Sequence, residues 1–277
     1  MIEMGKKIRL DQLIFDRGGL SESREKAKRT IMAGLVFSDG QRLDKPGTKV
    51  NNDITIDIKG KAMPYVGRGG LKLEKALNYF RLDISGKVMV DVGSSTGGFT
   101  DCALQNGVKM SYAIDVGYNQ LAWKLRNDPR VVVMERTNFR YVTPDMLTKE
   151  IPNFASVDVS FISLKLILPP LFDLLGENSQ VVILIKPQFE AGKDQVGKKG
   201  IVRDPNVHLH VLHQILIFSE SIGFQINDLT FSPITGGDGN IEYLALLTKG
   251  KISSKPLNIN DLAQEVVNES HQELNQS

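Results

Sequence analysis

One stretch of the chain, residues 88–100, constrains its possible folds more than any other. A run of apolar β-forming residues ends at Gly93, small residues and two more glycines follow, and a helical pattern begins at Phe99. Glycine permits a sharp turn and a close ligand approach, and free N–H groups at a helix start favour polar or anionic groups. This order predicts an open α/β sheet with a nucleotide-like ligand at the turn, although close packing alone could also explain the glycines.

The glycine spacing narrows the class of ligand. Gly93, Gly97 and Gly98 do not fit the dinucleotide pattern G-x-G-x-x-G, and no P-loop Gly-Lys-Ser/Thr follows them. Apolar strand, Asp, Gly, small residues and Gly-Gly is similar to the first motif of S-adenosylmethionine-dependent methyltransferases. Asp115 ends the next predicted strand about 20 residues later, where an acid can bind ribose hydroxyls. A helix cap or a solvated loop acid is the alternative interpretation of Asp115.

Composition limits the cellular context more than the function. The chain has 277 residues, 41% of them hydrophobic and 24% charged, which suits one large and one small globular domain. Cys102 is the only cysteine, so no intrachain disulfide can form. With no apolar signal or spanning segment, we expect a cytoplasmic protein that does not bind membranes. Oligomeric state is not indicated.

The first 60 residues are mildly basic, with 12 Lys/Arg against 9 Asp/Glu. Apolar spacing predicts helices over residues 8–14 and 21–34, with Ser21 as the cap of the second. Short strands are expected at 35–37 and 50–58. Two helices followed by a β-ribbon resemble an RNA-binding module of a small-subunit ribosomal protein. That resemblance implies phosphate contacts from a basic set, for which solvated helix faces are the alternative: Arg9, Arg17, Arg24, Lys26, Lys28 and Arg29.

The remainder of the chain is divided by its turn-rich segments. Residues 1–60 are predicted as the RNA-binding domain, 61–70 as a linker containing Arg68, 71–250 as the methyltransferase domain, and 251–277 as a polar tail in which a short amphipathic helix would fit. Helices are expected over 118–126, 164–175 and 206–222, the second of them kinked or split at Pro169 and Pro170. His210 and His213 lie at i, i+3 on the last, but no nearby ligand completes a metal set, so no metal is expected.

Four charged residues border apolar elements: Lys72 near a helix start, and Asp158, Lys186 and Glu242 near strand ends. Two cations and two anions can neutralise one another in a partly buried site. This is the pattern of the Lys-Asp-Lys-Glu tetrad of ribose 2′-O-methyltransferases. An ordinary ion-pair network is the alternative. A lysine in a desolvated, charge-rich pocket can accept or orient a hydroxyl proton, and Lys186 is our candidate, with Asp158 positioning it.

Five motifs extend the match over nearly the whole chain to about residue 250: YVGRGGLKL, DVGSSTGGFT, VDVSFISL, IKPQFE and GNIEY. Through them the chain resembles the TlyA (hemolysin A-like) family of ribosomal RNA methyltransferases. Thr96 replaces the proline that usually precedes Gly-Gly in the broader heat-shock relatives, which is typical of the TlyA-like group.

The resemblance implies a fold, a reaction and a set of site residues. The fold would be a Rossmann-like α/β sheet with a small N-terminal α+β module. The reaction would move a methyl group from S-adenosylmethionine to a ribose 2′-hydroxyl, of cytidine, in ribosomal RNA or ribosomal subunits. Lys72 and Glu242 would hold the ribose and balance charge. The glycine- and lysine-rich segment 191–200, with Lys198 and Lys199, is itself a candidate for holding RNA phosphates, and a plain flexible loop is the alternative. The cofactor-binding residues would be Gly93, Ser94, Ser95, Gly97, Gly98, Phe99, Asp115, Asn138 and Asp158. For Asn138, a candidate partner of the adenine edge, turn chemistry at a strand end is the alternative interpretation.

Two other classes of function were weighed. A membrane-active toxin is suggested by the hemolysin name, but no strongly amphipathic basic segment supports it. A non-catalytic RNA-binding protein is the second alternative, and the intact set of four charged residues argues against it.

Overall fold

The computed structural model describes residues 7–17, 20–21, 23–32, 34–60, 63–236, 239–250 and 257–274. The chain divides into two compact units, residues 1–64 and 65–277. The described residues of the first unit form two helices and several short strands. These are β1 (Lys7–Arg9), α1 (Leu10–Asp16), α2 (Arg24–Met32), β2 (Val36–Ser38), β3 (Gln41–Arg42), β4 (Lys49–Asn51) and β5 (Asp57–Ile58).

The N-terminal unit has its own small core, formed where α1 and α2 pack together with β2. β1 pairs with β4, and β2 pairs with both β3 and β5, all antiparallel. The core is made by buried apolar side chains, with several partly buried ones against them. The buried members are Leu10, Ile14, Ala27, Ile31 and Val36.

Three local predictions in this unit were wrong. The predicted helix at residue 8 begins instead at Leu10, because Ile8 pairs with Val50 as a strand. The cap contact at α2 comes from Ser23, whose Oγ accepts a hydrogen bond from the Lys26 N–H, and not from Ser21. The predicted strand over 50–58 is broken into β4 and β5, since a turn follows β4.

The second unit is an α/β domain. Its strands are β6 (Val88–Val92), β7 (Met110–Ile114), β8 (Val131–Met134), β9 (Phe154–Val157), β10 (Gln180–Ile185), β11 (Phe224–Phe231) and β12 (Tyr243–Lys249). Its helices are α3 (Gly69–Tyr79), α4 (Gly98–Gln105), α5 (Trp123–Arg126), α6 (Leu168–Leu174), α7 (Pro187–Glu190), α8 (Pro205–Ser221) and α9 (Ile259–Leu274).

The seven strands form one sheet in the order β11-β12-β10-β9-β6-β7-β8. β6 to β10 pair in parallel, and β12 runs antiparallel to both β10 and β11. The chain moves from β6 to β7 and β8 on one side and then crosses to β9 on the other. Ligands of open α/β sheets bind at such a reversal of strand order, beyond the carboxyl ends of the strands.

Both faces of the sheet are covered, which explains the continuous apolar strands predicted from the sequence. On β10, Val181, Ile183 and Ile185 belong to one core cluster, while Val182 and Leu184 belong to the other. The first cluster also contains buried side chains of α6, α8 and α9, and the second those of α3 and α4. The domain is therefore a three-layer sandwich.

The linker and tail differ from the predictions. Gly69 and Gly70 belong to α3, and the Tyr65 hydroxyl donates to Glu74 Oε1 at 2.7 Å. The Val66 N–H donates to Asp101 Oδ2 at 2.8 Å, so the linker from Tyr65 onward is part of the methyltransferase unit. Residues 61–62 of the predicted linker, and 251–256 and 275–277 of the tail, lie outside the described residues.

The tail predicted as polar contains the 16-residue helix α9. Ala263, Val266 and Val267 are buried in the larger core cluster, and α9 packs on α8 and β11. The helix predicted over 118–126 is shorter than expected, since only one turn, α5, forms there. The 164–175 segment is split, as its prolines predict, into a 3₁₀ turn followed by α6.

Asp91 joins the strands beneath the glycine turn. Its carboxylate is fully buried and accepts hydrogen bonds from Thr100 Oγ1 at 2.6 Å, from the Thr100 N–H at 3.1 Å and from Ser156 Oγ at 2.7 Å. Burial raises the pKa of Asp91 to about 6, against the pull of these hydrogen bonds, and the charge of Asp158 adds to the rise. One side chain thus connects β6 with β9 and α4.

Asp91→Asn should remove a pH dependence of stability. Because the pKa of Asp91 is raised in the folded state to about 6, the folded protein binds the proton more tightly than the unfolded chain. This contribution to stability is present in full below the unfolded pKa of Asp, about 4, and is lost as pH rises through about 6. From pH 7 to pH 4, wild type should gain on the order of 2 kcal/mol relative to Asp91→Asn in urea unfolding. Parallel pH profiles for the two proteins would contradict this.

Candidate active site

The four charged residues singled out in the sequence meet at one edge of the sheet. Asp158 directly follows β9, Lys186 directly follows β10, and Glu242 directly precedes β12. Because β12 is antiparallel to β10, its first residue lies at the same edge as the end of β10. Lys72 reaches this edge from the first turn of α3. The topology therefore assembles residues that are up to 170 positions apart in the chain.

The four side chains form an unbroken series of alternating charge, which we call the tetrad. Lys186 Nζ lies 2.6 Å from Asp158 Oδ1, Asp158 Oδ2 lies 3.9 Å from Lys72 Nζ, and Lys72 Nζ lies 2.6 Å from Glu242 Oε2. Glu242 is the most buried, with 3% of its side chain exposed, and Asp158 the least, with 19%. Each buried charge has an opposite charge within reach, which offsets the cost of desolvation.

Two neutral side chains that were not predicted form hydrogen bonds with the tetrad. Lys186 Nζ donates a hydrogen bond to Ser160 Oγ at 3.0 Å, and Gln188 Nε2 donates to Glu242 Oε1 at 3.3 Å. Each lies two residues after a member of the tetrad, Ser160 in the loop that follows β9 and Gln188 in α7, which follows β10. That adjacency was the available sequence signal.

Two adjoining cavities open at this edge. The first, about 510 Å³, contains the tetrad, and we call it the tetrad cavity. The second, about 430 Å³, lies against the turn after β6, and we call it the glycine-turn cavity. Both volumes fall in the range of small-molecule sites. The residues that line both cavities are Gly93, Ser95, Asp158, Ser160 and Phe161.

The glycine-turn cavity is shaped by backbone at Gly93. This residue has a φ of +82°, and a Cβ there would lie 2.3 Å from the carbonyl oxygen of Asp158. Asp115 closes the end of β7, where its carboxylate accepts hydrogen bonds from the Ser95 and Gly117 N–H groups, both at 2.7 Å. Asn138 also lines the cavity, and its side chain accepts from the Arg140 N–H at 3.2 Å. Of the nine predicted cofactor residues, five line this cavity: Gly93, Ser95, Asp115, Asn138 and Asp158.

The remaining four predicted cofactor residues, Ser94, Gly97, Gly98 and Phe99, are not among the residues that line it. Gly97 caps α4 with a φ of +93°, and a Cβ there would lie 2.2 Å from Leu125 Cδ1. A Cβ on Gly98 would lie 2.8 Å from the Gly70 nitrogen. Close packing of α4 against its neighbours therefore explains these two glycines, which was the alternative left open by the sequence.

Comparison with known proteins agrees with this geometry. Residues 65–249 match the model of the FtsJ-like methyltransferase family, and residues 8–53 match the S4 domain. The chain belongs to the FtsJ-like methyltransferase family. It is a methyltransferase with an N-terminal S4 domain, and family and fold indicate S-adenosylmethionine as the methyl donor.

Three similar proteins illustrate the match. The chain is 64% identical to "Putative rRNA methyltransferase YqxC" of Bacillus subtilis, over 86% of this chain and 85% of the relative. It is 39% identical to the 16S/23S rRNA (cytidine-2′-O)-methyltransferase TlyA of Mycobacterium tuberculosis, over 92% and 96%. A solved structure named "Putative hemolysin" from Streptococcus thermophilus is 50% identical, with a TM-score of 0.76 over 99% and 98% of the two chains.

In this FtsJ-like enzyme the predicted RNA-binding residues fall into two groups. In the S4 domain, Arg9 and Arg24 both pair with the buried Asp11, at 3.0 and 3.1 Å. Burial acts to raise the pKa of Asp11, but hydrogen bonds from the two arginines outweigh it and lower that pKa to about 2. Arg17 donates to the Asn52 carbonyl oxygen at 2.7 Å. Arg29 reaches the Pro64 carbonyl oxygen at 3.5 Å, while Lys26 is partly buried on α2.

The second group lies in the methyltransferase domain. Arg68, Lys198 and Lys199 are all exposed, and Arg68 and Lys199 line the tetrad cavity. Lys199 has a φ of +64°, an uncommon conformation for a residue with a side chain. The structure thus brings two predicted RNA contacts to the mouth of the site.

Exposed aromatic and basic side chains beside the cavities were not predicted. Phe161 is 90% exposed, has a φ of +62° and contacts the ring of Phe189, with centroids 4.9 Å apart. Arg136 stacks on the Tyr118 ring at 4.0 Å. Phe161, Tyr118 and Arg136 lie in loops that follow strands. Local sequence periodicity does not predict that their side chains are exposed.

Within the described part of the chain, no three His, Cys, Asp or Glu side chains are arranged so that they could hold a metal ion. His208 is buried and bonded to the Tyr243 hydroxyl at 2.6 Å, and His210 contacts Gln214 at 2.7 Å. No helix in the same described segments is long and apolar enough to cross a membrane.

Proposed function

We propose that this FtsJ-like methyltransferase transfers a methyl group from S-adenosylmethionine to the 2′-hydroxyl of a cytidine in ribosomal RNA, in the cytoplasm. The observation that carries the proposal is the tetrad, assembled in a cavity that shares a wall with the glycine-turn cavity. A ribose hydroxyl in the first cavity would then lie next to a methyl donor in the second. The activity named for the M. tuberculosis relative supports the choice of cytidine and of ribosomal RNA.

The glycine-turn cavity fits S-adenosylmethionine in size and chemistry. The missing side chain at Gly93 leaves room that a Cβ would fill, and Asp115 has carboxylate lone pairs left for the ribose hydroxyls of the cofactor. Asn138 offers an amide to the adenine edge. When bound, the cofactor supplies an electrophilic methyl group, so the protein has mainly to align the acceptor oxygen with it.

The tetrad residues have distinct roles in this proposal. Lys186 faces the acceptor hydroxyl and accepts or orients its proton at Nζ. Asp158 holds Nζ at 2.6 Å, and Ser160 accepts a hydrogen bond from the same nitrogen, so its position is fixed by two contacts. Lys72 and Glu242 bind the ribose and keep the cavity neutral overall. The exposed Phe161 ring at the mouth offers a flat surface for the target base.

The decisive experiment is transfer of labelled methyl groups from S-adenosylmethionine to 30S and 50S ribosomal subunits and to unmodified 16S and 23S RNA. We expect label on a cytidine ribose, detected as an alkali-resistant dinucleotide. Label on a base would contradict the proposed acceptor. Bound cofactor with no label on any of these RNAs would contradict the proposed substrate.

Asp115→Ala should weaken S-adenosylmethionine binding by about tenfold to a hundredfold, because it removes charge-assisted hydrogen bonds to the cofactor ribose and frees the Ser95 N–H. Isothermal titration calorimetry with cofactor alone measures the effect without RNA. Asp145→Ala, at an exposed position, is the matched control and should bind as wild type does. Unchanged affinity in Asp115→Ala would place the cofactor ribose elsewhere.

A further inference from the structure

One wall of the tetrad cavity is a loop with an unusual backbone. Lys199 and Gly200 line the cavity and have φ values of +64° and +71°. Glycine adopts this conformation freely, but a residue with a side chain, such as Lys199, keeps it only where surrounding contacts impose it. Within the loop, the Gly200 N–H donates to the Gly197 carbonyl oxygen, and the Gly197 N–H donates to the Ile201 carbonyl oxygen. These short-range bonds shape the loop but do not attach it to the sheet.

The attachment is made by Asn240, which is 4% exposed. Its Nδ2 donates to the Gly200 carbonyl oxygen at 2.9 Å, and its Oδ1 accepts from the Val202 N–H at 3.1 Å. The side-chain amide therefore pairs with the loop as the backbone of a neighbouring strand would. This pairing needs one donor and one acceptor in the same planar group, which an amide provides.

We call the pairing of Asn240 with Gly200 and Val202 the clamp. Further hydrogen bonds hold the residues on both sides of it. The Val202 carbonyl oxygen is bonded to His208 Nε2 of α8 at 3.0 Å, so both backbone groups of Val202 are held. The Asn240 carbonyl oxygen accepts from the Gly236 N–H at 2.9 Å, and Asn240 lies two residues before Glu242. The loop is thus attached to the same segment that carries one of the tetrad residues.

We propose that Asn240 is a positioning residue that holds Lys199 and Gly200 as the RNA-facing wall of the tetrad cavity. The inference rests on the proposed function, since it assigns that wall to the RNA strand. A lysine on a fixed backbone can pair with a phosphate at lower entropic cost than one on a mobile loop. Loss of the clamp should therefore weaken RNA binding more than it slows methyl transfer at saturating RNA.

Asn240→Asp is the sharpest test, because the two side chains have nearly the same shape. A carboxylate still accepts from Val202 but cannot donate to Gly200, whose carbonyl oxygen it would repel, whereas a protonated carboxyl can donate. At pH 8 we expect the KM for 16S or 23S RNA to rise about tenfold, because a hydrogen bond to the loop is lost and the carboxylate repels the Gly200 carbonyl oxygen. Because burial and the facing carbonyl oxygen disfavour the charged form of this carboxyl, the KM should fall towards the wild-type value as pH is lowered. The cofactor Kd should remain within about twofold of wild type.

Two control variants, each compared with wild type at the same pH, make the result interpretable. Asn240→Ala should have a raised RNA KM that does not recover at low pH. Asn268→Asp, at an exposed position on α9, should match wild type throughout. The titratable groups on the elements that Asn240 joins are present in every variant, so the ratio to wild type at each pH isolates position 240. They include Lys198, Lys199, Arg203, Asp204, His208 and Glu242.

The outcomes separate the two proposals. No methyl transfer by wild type on any ribosomal RNA would refute the proposed function. Normal transfer by wild type with an unchanged RNA KM in Asn240→Asp at pH 8 would refute the clamp alone. Equal loss in Asn240→Asp and Asn240→Ala at every pH, together with weaker cofactor binding, would reduce Asn240 to a general packing role.

Discussion

Lys186→Ala should reduce methyl transfer to ribosomal RNA by at least about a thousandfold while S-adenosylmethionine still binds. Removing a proton acceptor typically costs about 10² to 10⁴ in rate, and here the variant also leaves Asp158 without its partner at 2.6 Å. Lys186 is not among the residues that line the glycine-turn cavity, which is why the cofactor affinity should survive. Single-turnover transfer with labelled cofactor and calorimetry with cofactor alone measure the two quantities separately.

Two companion variants define what Lys186 contributes. Lys186→Arg keeps the charge next to Asp158 but replaces the amine with a group that does not lose its proton, so it should remain as inactive as alanine if proton transfer is the role. Lys149→Ala, at an exposed position, should retain full activity. Near-normal turnover in Lys186→Ala would remove Lys186 from the reaction. Substantial activity in Lys186→Arg would show that charge alone suffices.

The sheet and the tetrad were predictable because each depends on a local sequence pattern: apolar runs for the strands, and charged residues near the ends of those strands. β10 is a continuous apolar run, and such runs are buried on both faces of a parallel sheet. Asp158 and Lys186 end two such strands, and parallel strands end at the same edge. The strand pattern therefore predicts that these two residues lie close together. Glu242 followed from the tetrad pattern, and its location depends on β12 being antiparallel.

Other features depended on contacts that no local pattern records. Asn240 pairs with residues 38 and 40 positions away, and nothing in its neighbourhood distinguishes it from a turn residue. The sequence of Gly97 and Gly98 is the same whether a ligand or a neighbouring part of the protein packs against them. In the structure, a side chain packs against Gly97 and backbone packs against Gly98. The length of helix α9 was underestimated because its apolar stripe is short. The helix is stabilised by its packing on α8, which the local sequence does not record.

Lys72→Met should destabilise the protein by about 3–5 kcal/mol, because it leaves the carboxylate of Glu242 buried without a cation. Glu242→Gln should cost less, since Lys72 would still have Asp158 at 3.9 Å. Urea unfolding gives the free energies. The matched control is Lys109→Met, whose partner Glu150 lies at the same 2.6 Å but with about half of both side chains exposed. That exposed pair should contribute less than about 1 kcal/mol.

The double variant Lys72→Met/Glu242→Gln tests whether this ion pair is needed for stability or for methyl transfer. Replacing both charges removes the unpaired carboxylate, so most of the stability lost in Lys72→Met should return. Methyl transfer should stay at the level of the single variants, because the ribose contacts are still missing. A double variant that is stable but inactive would mean that two buried charges are retained for binding and chemistry and not for folding. A double variant as unstable as Lys72→Met would instead make the pair a structural element of the domain.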